Sequence, residues 1–229
     1  MQIKLLDSRL SLAYDLYDSC ELAADIGTDH AYLPAALLQR GRCQHIILTD
    51  ISKNALENAR REMIRLRLSE RVSLRLGDGL TPVRERCDLI SVMGMGGRTI
   101  RDILLSGSSR LRGASLLLSA HTDWHLIRSA IHEIGYHLER EEPCFSAGRY
   151  YLILKAIPGY MPISDQEIRL GGPLFHSSSA VLIPFLRRRI EILEKRLEGI
   201  SSASEPNKAE IKRLHEDLEF YYSFLMPDP

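Results

Sequence analysis

Four short strings hold the residue types that chemistry needs: Asp25-Ile26-Gly27-Thr28-Asp29-His30, Thr49-Asp50-Ile51, Gly77-Asp78-Gly79 and Gly94-Met95-Gly96-Gly97. A pyrophosphate-binding turn wants G-x-G-x-x-G, so that backbone N–H groups can approach the phosphates. The first string has one glycine and two carboxylates, which repel a pyrophosphate. Those carboxylates attract an ammonium or a sulfonium centre, and S-adenosylmethionine carries both. An acid about 20 residues after such a turn can hydrogen-bond ribose hydroxyls, and Asp50 stands there. Asp78 can receive the exocyclic amine of adenine. Turns favour Asp on their own account, so one acid says little. Three in order fit an adenosine cofactor lying across a sheet. The glycines of 94–97 let backbone pass close to a ligand.

These strings need elements to hold them. Short apolar runs, at Glu21–Ile26, His45–Thr49, Val72–Leu76, Asp88–Met93 and Ser115–Ser119, read as strands. Amphipathic stretches at Pro34–Gln39, Ser52–Leu66, Arg98–Leu105 and Asp123–Ile134 read as helices, with Ser52 and Asp123 as N-caps. Alternation of the two predicts a doubly wound α/β sheet, with each acidic string at the carboxyl end of a strand, where such sheets bind ligands. Tyr136–Glu139 and Tyr150–Ile157 read as an antiparallel last pair joined by a loop over Glu141–Gly148. After Pro158 the composition shifts. Leu186, Ile190, Leu193, Leu197 and Ile200, then Ile211, Leu214, Leu218, Tyr221 and Leu225, form two heptad-spaced seams. They predict an antiparallel coiled-coil helical hairpin over 159–229, behind a catalytic domain over 1–158.

Composition narrows the function classes. The chain has 229 residues, 45% of them hydrophobic, and a net charge of zero, which excludes a disordered chain or a histone-like polycation. No apolar run approaches the length of a membrane span. Lys4, Asp7 and Arg9 interrupt the first ten residues, which predicts no secretory signal. Cys20, Cys43, Cys87 and Cys144 lack zinc or redox spacing, so they read as thiols in a reducing cytoplasm. His121 and His125 have helical metal-ligand spacing, but no acid or cysteine completes a set, so no metal is expected. There is no phosphate-cradling P-loop and no serine nucleophile elbow.

Of the 30 basic residues 24 are arginine, whose planar fork suits phosphates. Arg60, Arg61, Arg65, Arg67, Arg71 and Arg75 form one cluster and Arg187, Arg188 and Arg189 another. Each reads either as an RNA-phosphate contact or as a solvated helix face.

Asp25-Ile-Gly-Thr-Asp-His-Ala-Tyr-Leu-Pro34, Gly77-Asp-Gly79 and Gly94-Met-Gly-Gly97 together resemble the bacterial tRNA adenine-N1 methyltransferases of the TrmK family. The resemblance covers the catalytic domain in motif detail and the tail in architecture. It implies a class I methyltransferase (Rossmann-like) fold, S-adenosylmethionine as cofactor, tRNA as partner, and methylation of N1 of adenine 22. By that resemblance Asp25, Gly27, Asp29, His30, Asp50, Ile51, Gly77, Asp78, Gly79, Gly94, Met95 and Gly96 line the cofactor site. Asp29 is the candidate catalytic group, and it reads equally as a cofactor ligand or helix cap. Tyr32, Gly97, His121, Arg187 and Arg188 are the candidate substrate contacts. The family commonly has Gln-Pro-Asn after the fifth strand. This chain has Ala120-His121-Thr122, so His121 or Thr122 must take the asparagine's place. Two alternatives keep the same scaffold: methylation of another RNA position or a small molecule, and RNA binding without catalysis.

Overall fold

The computed structural model describes residues 6–225, apart from 121 and 204. Seven strands form one sheet: β1 (Cys20–Ile26), β2 (Cys43–Asp50), β3 (Val72–Leu76), β4 (Leu89–Met95), β5 (Ser115–Ala120), β6 (Tyr136–Ser146) and β7 (Arg149–Pro158). Their order is β3-β2-β1-β4-β5-β7-β6. The first five run parallel, and β7 inserts antiparallel between β5 and β6. Both faces of a parallel sheet are covered, so its strands read as continuous apolar runs. Alternation still sorts them: Ala24, Ile47, Ile90, Leu116 and Leu154 face one layer, whereas Ala23, Ile46, Leu48, Leu89, Leu117 and Ile153 face the other.

The second layer holds α1 (Ser8–Leu16), α2 (Tyr32–Gln39) and α3 (Lys53–Leu66). The first holds α4 (Gly97–Leu111), α5 (Trp124–Glu133), α6 (Asp165–Leu170), α7 (Leu182–Ser201) and α8 (Lys208–Leu225). Ser52 caps α3, its Oγ accepting the Ala55 N–H at 3.3 Å. Asp123 does not cap α5 as its residue type suggests. It sits at the cap position in left-handed backbone, and its carboxylate instead accepts the Thr122 hydroxyl at 2.9 Å.

The sequence pattern assigned no element before β1. α1 is there, capped by Asp7, and it packs on α2, β6 and β7. The expected loop over Glu141–Gly148 is also corrected, since β6 runs on to Ser146. The turn shrinks to Ala147-Gly148, both at positive φ, as a two-residue hairpin turn with right-handed strand twist requires.

The charges of Glu141 and Glu142 concealed that strand. Glu141 is in fact fully buried, and its carboxylate accepts Arg128 Nε at 2.7 Å and the Gly172 and Leu174 N–H groups. Arg128 also donates to the Ile168 and Arg169 carbonyls. Removing one partner of such a buried pair typically costs about 3–5 kcal/mol, so this clamp fixes α5, β6 and α6 together. Arg169 then reaches Asp217 at 2.8 Å and ties α6 to α8. Leu186, Ile190, Leu193, Leu214, Leu218 and Tyr221 of the two seams join the same buried cluster as the sheet.

The cysteines lie far apart in sequence, but neighbouring strands bring the sulfurs of Cys20 and Cys43 to 3.1 Å as free thiols. Among the described residues, no helix is long and apolar enough to cross a membrane, and no cluster of three potential metal ligands occurs.

Candidate functional site

Strand order reverses between β1 and β4, so the carboxyl ends of these two strands frame the crevice where open α/β sheets bind ligands. Asp25 sits there, only 8% exposed. Ser91 of β4 donates its hydroxyl to Asp25 Oδ1 at 2.6 Å. Burial pushes the Asp25 carboxyl above its usual value, and the Ser91 hydrogen bond opposes that shift. Gly27 follows at φ 77°, with its N–H bonded to Thr49 O of β2 at 2.8 Å. A Cβ there would lie 2.0 Å from Met95 Cε, so Met95 lies directly across this glycine.

The turn continues through Asp29 and Ala31, both in left-handed backbone. Asp29 keeps its side chain 62% exposed, 3.6 Å from His30 Nε2, and the His30 ring stacks on Tyr32 at 5.3 Å. Asp25, Gly27, Asp29, His30, Tyr32 and Gly94 share one cleft of about 420 Å³. Asp7, Arg9 and Tyr151 complete its wall. Sequence reasoning did not assign these three to the site. The Asp7 cap, followed by apolar Leu10, Ala13, Leu16 and Tyr17, was the available signal for α1.

The remaining cofactor candidates lie along the same carboxyl edge, beside the cleft. Asp50 Oδ1 accepts the Ser52 N–H at 2.8 Å. Ile51 next to it is 72% exposed, an apolar face presented at the edge of the sheet. Gly77 donates its N–H to Asp50 O, which joins the β2 and β3 ends. Asp78 opens the following turn, where its carbonyl accepts from Thr81, and a Cβ on Gly79 would lie 3.2 Å from Ile103 Cγ1. A nucleoside with a cationic side arm fits this donor set: an acid at each of three strand ends, an exposed aliphatic face and no glycine cradle for a pyrophosphate.

Gly96 and Gly97 turn β4 into α4. A Cβ on Gly97 would fall 2.5 Å from Asp123 O and 2.6 Å from Thr122 O. Glycine is therefore what lets the segment after β5 close on α4. His121 lies outside the described residues, but its neighbour Thr122 is fixed beside Gly97.

From Thr122 a second cavity, about 600 Å³, runs between α5, the β6–β7 turn and α7. Arg149, Arg188, Arg189 and Arg196 line it with Trp124 and Tyr150. Arg189 lies over the Trp124 ring at 5.1 Å, and Trp124 Nε1 donates to Ala120 O. Arg188 pairs with Glu191 at 2.7 Å and Arg196 pairs with Glu210. Arg187 is exposed on α7 outside this groove. Arg149 was not anticipated, because the tight hairpin that carries it was read as a loop.

Five of the six arginines of the first cluster have partners within the fold. Arg71 donates to the carbonyls of Leu38, Cys43 and Gln44. Arg75 clasps Glu85, Arg65 clasps Glu62, and Arg60 and Arg61 both face Glu57.

Residues 23–221 match the family described as tRNA (adenine(22)-N(1))-methyltransferase, TrmK. The chain belongs to this family. A Bacillus subtilis (strain 168) protein named tRNA (adenine(22)-N(1))-methyltransferase is 30% identical over 224 residues, 93% of this chain and 94% of that one. The crystal structure of the B. subtilis TrmK enzyme superposes with a TM-score of 0.87 at 27% identity, covering 98% of this chain and all of that one. A Streptococcus pneumoniae relative, solved in complex with S-adenosyl-L-methionine, gives 0.84 at 27% identity, over 96% of this chain and all of that one. The TrmK fold seen here is thus the Rossmann-like methyltransferase sheet with antiparallel last strands.

The contact at Gly97 has a measurable consequence. Gly97→Ala must push the Thr122–Asp123 backbone away, which overpacks the corner at a cost of about 1–3 kcal/mol. Thermal unfolding should show the midpoint fall by several degrees. An unchanged midpoint would mean that the corner opens freely.

Proposed function

We infer that this chain transfers a methyl group from S-adenosylmethionine to N1 of adenine 22 in tRNA. The observation that carries the reading is the buried Asp25 at the strand-order reversal, followed along one edge by Asp50 and Asp78, in a chain of the TrmK family. When bound, S-adenosylmethionine supplies an electrophilic methyl group on a positively charged sulfur. Asp50 is placed to hold ribose hydroxyls, Ile51 to pack on the adenine face, and Asp78 to accept its exocyclic amine. Gly77 and Gly79 shape that turn. Gly27, Gly94 and Gly96 leave room for close backbone approach, and Met95 borders the reacting end.

N1 of neutral adenine has a free lone pair, so no base has to remove a proton first. The protein's task is alignment and exclusion of competing geometries. The target base becomes cationic as it reacts, and a nearby carboxylate stabilises that charge. Asp29 is an exposed carboxylate of the turn after β1 and fills this role. His30 orients it, and Tyr32, stacked on His30, offers a face to the extruded base. Gly97, with Thr122 against it, borders the base on the other side, and His121 or Thr122 takes the place of the family's asparagine.

The catalytic unit is 1–158. The 159–229 segment, an antiparallel coiled-coil hairpin docked on the sheet's own core, holds the tRNA body. The arginine groove connects the two, with Arg188 lining it and Arg187 beside it on α7. Free thiols and a tRNA substrate suit a cytoplasmic enzyme.

Incubating unmodified tRNA with the protein and S-adenosylmethionine, then reverse transcribing, should give a stop at adenine 22, because N1-methyladenine cannot pair. A stop elsewhere would move the target, and none in any tRNA would leave a non-catalytic binder. Asp29→Ala should lower kcat at least tenfold while calorimetric cofactor affinity changes little; equal losses in both would confine Asp29 to binding. Reversing Arg149 and Arg189 to Glu should weaken tRNA binding and flatten its salt dependence, with cofactor affinity intact. Unaltered tRNA affinity would remove the groove from the RNA path.

A further inference from the structure

Cys20 and Cys43 open β1 and β2 and are direct partners in the parallel register. Side chains of such partners leave the sheet on the same face, here toward the α1–α2–α3 layer. Neighbouring strands lie about 4.8 Å apart, inside the Cα separation of about 4.4–6.8 Å that a disulfide bridges. The sulfurs stand 3.1 Å apart, with Cys20 donating its S–H to Cys43. A bond of about 2.05 Å therefore needs them to close by only about 1 Å. The separation of 23 residues along the chain hid this pair, because redox dithiols are sought at close spacing.

The four cysteines are not equivalent. Burial pushes Cys87 and Cys144 up to about 11, and thiols in apolar surroundings are inert. At Cys43 the hydrogen bond from Cys20 outweighs burial and, with backbone hydrogen bonds, draws the thiol below its ordinary value. That raises the share of thiolate, the nucleophilic form. The same contact and burial push Cys20 the other way, so it stays protonated beside Cys43. Cys43 is fully buried, whereas Cys20 is half-buried and follows the exposed Asp18 and Ser19. Access runs past the start of β1 and suits a small oxidant.

We propose that Cys20 and Cys43 are a peroxide-reactive thiol pair that closes into a cross-strand disulfide and staples β1 to β2. The Cys43 thiolate attacks one peroxide oxygen. An S–O bond forms, the O–O bond breaks, and the hydroxide released takes up the proton that Cys43 gave away. The sulfur is oxidised to a sulfenic acid and the peroxide is reduced. Cys20 then attacks the Cys43 sulfur. The S–S bond forms, the S–O bond breaks, and the leaving hydroxide departs as water with the Cys20 proton. Two thiols and one peroxide thus give one disulfide and two waters, and a dithiol reductant reverses the bond by exchange. The closed loop over residues 20–43 holds the Asp25–His30 turn and all of α2, and such a cross-link constrains the unfolded chain. Asp25 and Asp50 lie about 15–25 Å further along the same strands, at about 3.3 Å per residue. Oxidation therefore leaves the acids of the crevice in place, and the pair acts as a staple and not as an off-switch. None of this depends on the cofactor reading.

The test adds hydrogen peroxide to the reduced full chain, then counts thiols and maps peptides by mass. Free thiols should fall from four to two, the mass should drop by two hydrogen atoms, and one peptide pair should join Cys20 to Cys43. Dithiothreitol should restore all four. The oxidised form should unfold several degrees above the reduced one, with calorimetric affinity for S-adenosylmethionine within twofold. Cys20→Ser lacks the resolving thiol, so its Cys43 should gain oxygen as sulfenic or sulfinic acid, with no rise in the midpoint; Cys20→Ala serves if the serine variant fails to fold. Four thiols surviving peroxide would overturn the proposal, and so would a sulfinic Cys43 in wild type or a bridge through Cys87. A tenfold loss of cofactor affinity on oxidation would replace the staple with a switch. If neither form binds S-adenosylmethionine, the cofactor reading falls alone, and the peptide map and midpoint still decide the disulfide.

Discussion

A carboxylate removed from water at the point where the strand order turns back organises this protein. Burying Asp25 is unfavourable and pushes its carboxyl above the usual value, and the Ser91 hydroxyl only partly compensates. An apolar residue would stabilise that position more simply. A carboxylate kept there fits the proposed cationic cofactor, and the carboxylates of Asp29 and Asp50 stand along the same edge. The five parallel strands put their carboxyl ends on that edge, so the spacing of the acids follows from the spacing of the strands.

A second set of charges ties the elements together. Glu141 and Arg128, both buried, join the last helix of the sheet domain to the edge strand, and Arg169 with Asp217 carries the connection on to α8. With the seam residues of α7 and α8 packed into the same cluster as β4, β5 and β7, the tail is seated firmly against the sheet. The arginine groove between them starts at Thr122, next to the glycine corner.

The strings with chemistry were readable because they are local. An acid after an apolar run, a lone glycine in a turn and three glycines in four residues mean the same thing in any surroundings, and the strands that carry them are continuous apolar runs. What misled was charge. Glu141 and Glu142 looked like a loop because charged residues are usually solvated, and only distant partners make a buried strand of them: Arg128 in α5 for Glu141, and Ser177 beside Arg140 for Glu142. The cluster from Arg60 to Arg75 looked like a nucleic-acid face, yet most of its members are consumed by Glu57, Glu62, Glu85 and carbonyl oxygens.

The order of residues alone gave the α/β alternation, the acidic strand ends, the two helical seams and, through its motifs, the family. Each of these depends on neighbours along the chain or on a periodic pattern within one element. Packing at long range gave the rest: α1 as a wall of the cleft, Arg9 beside Gly94, Thr122 pinned on Gly97, and Arg149 brought opposite Arg189. Those placements join segments far apart in the chain, and no spacing encodes them, because the geometry that unites them exists only once the sheet has closed its two apolar layers.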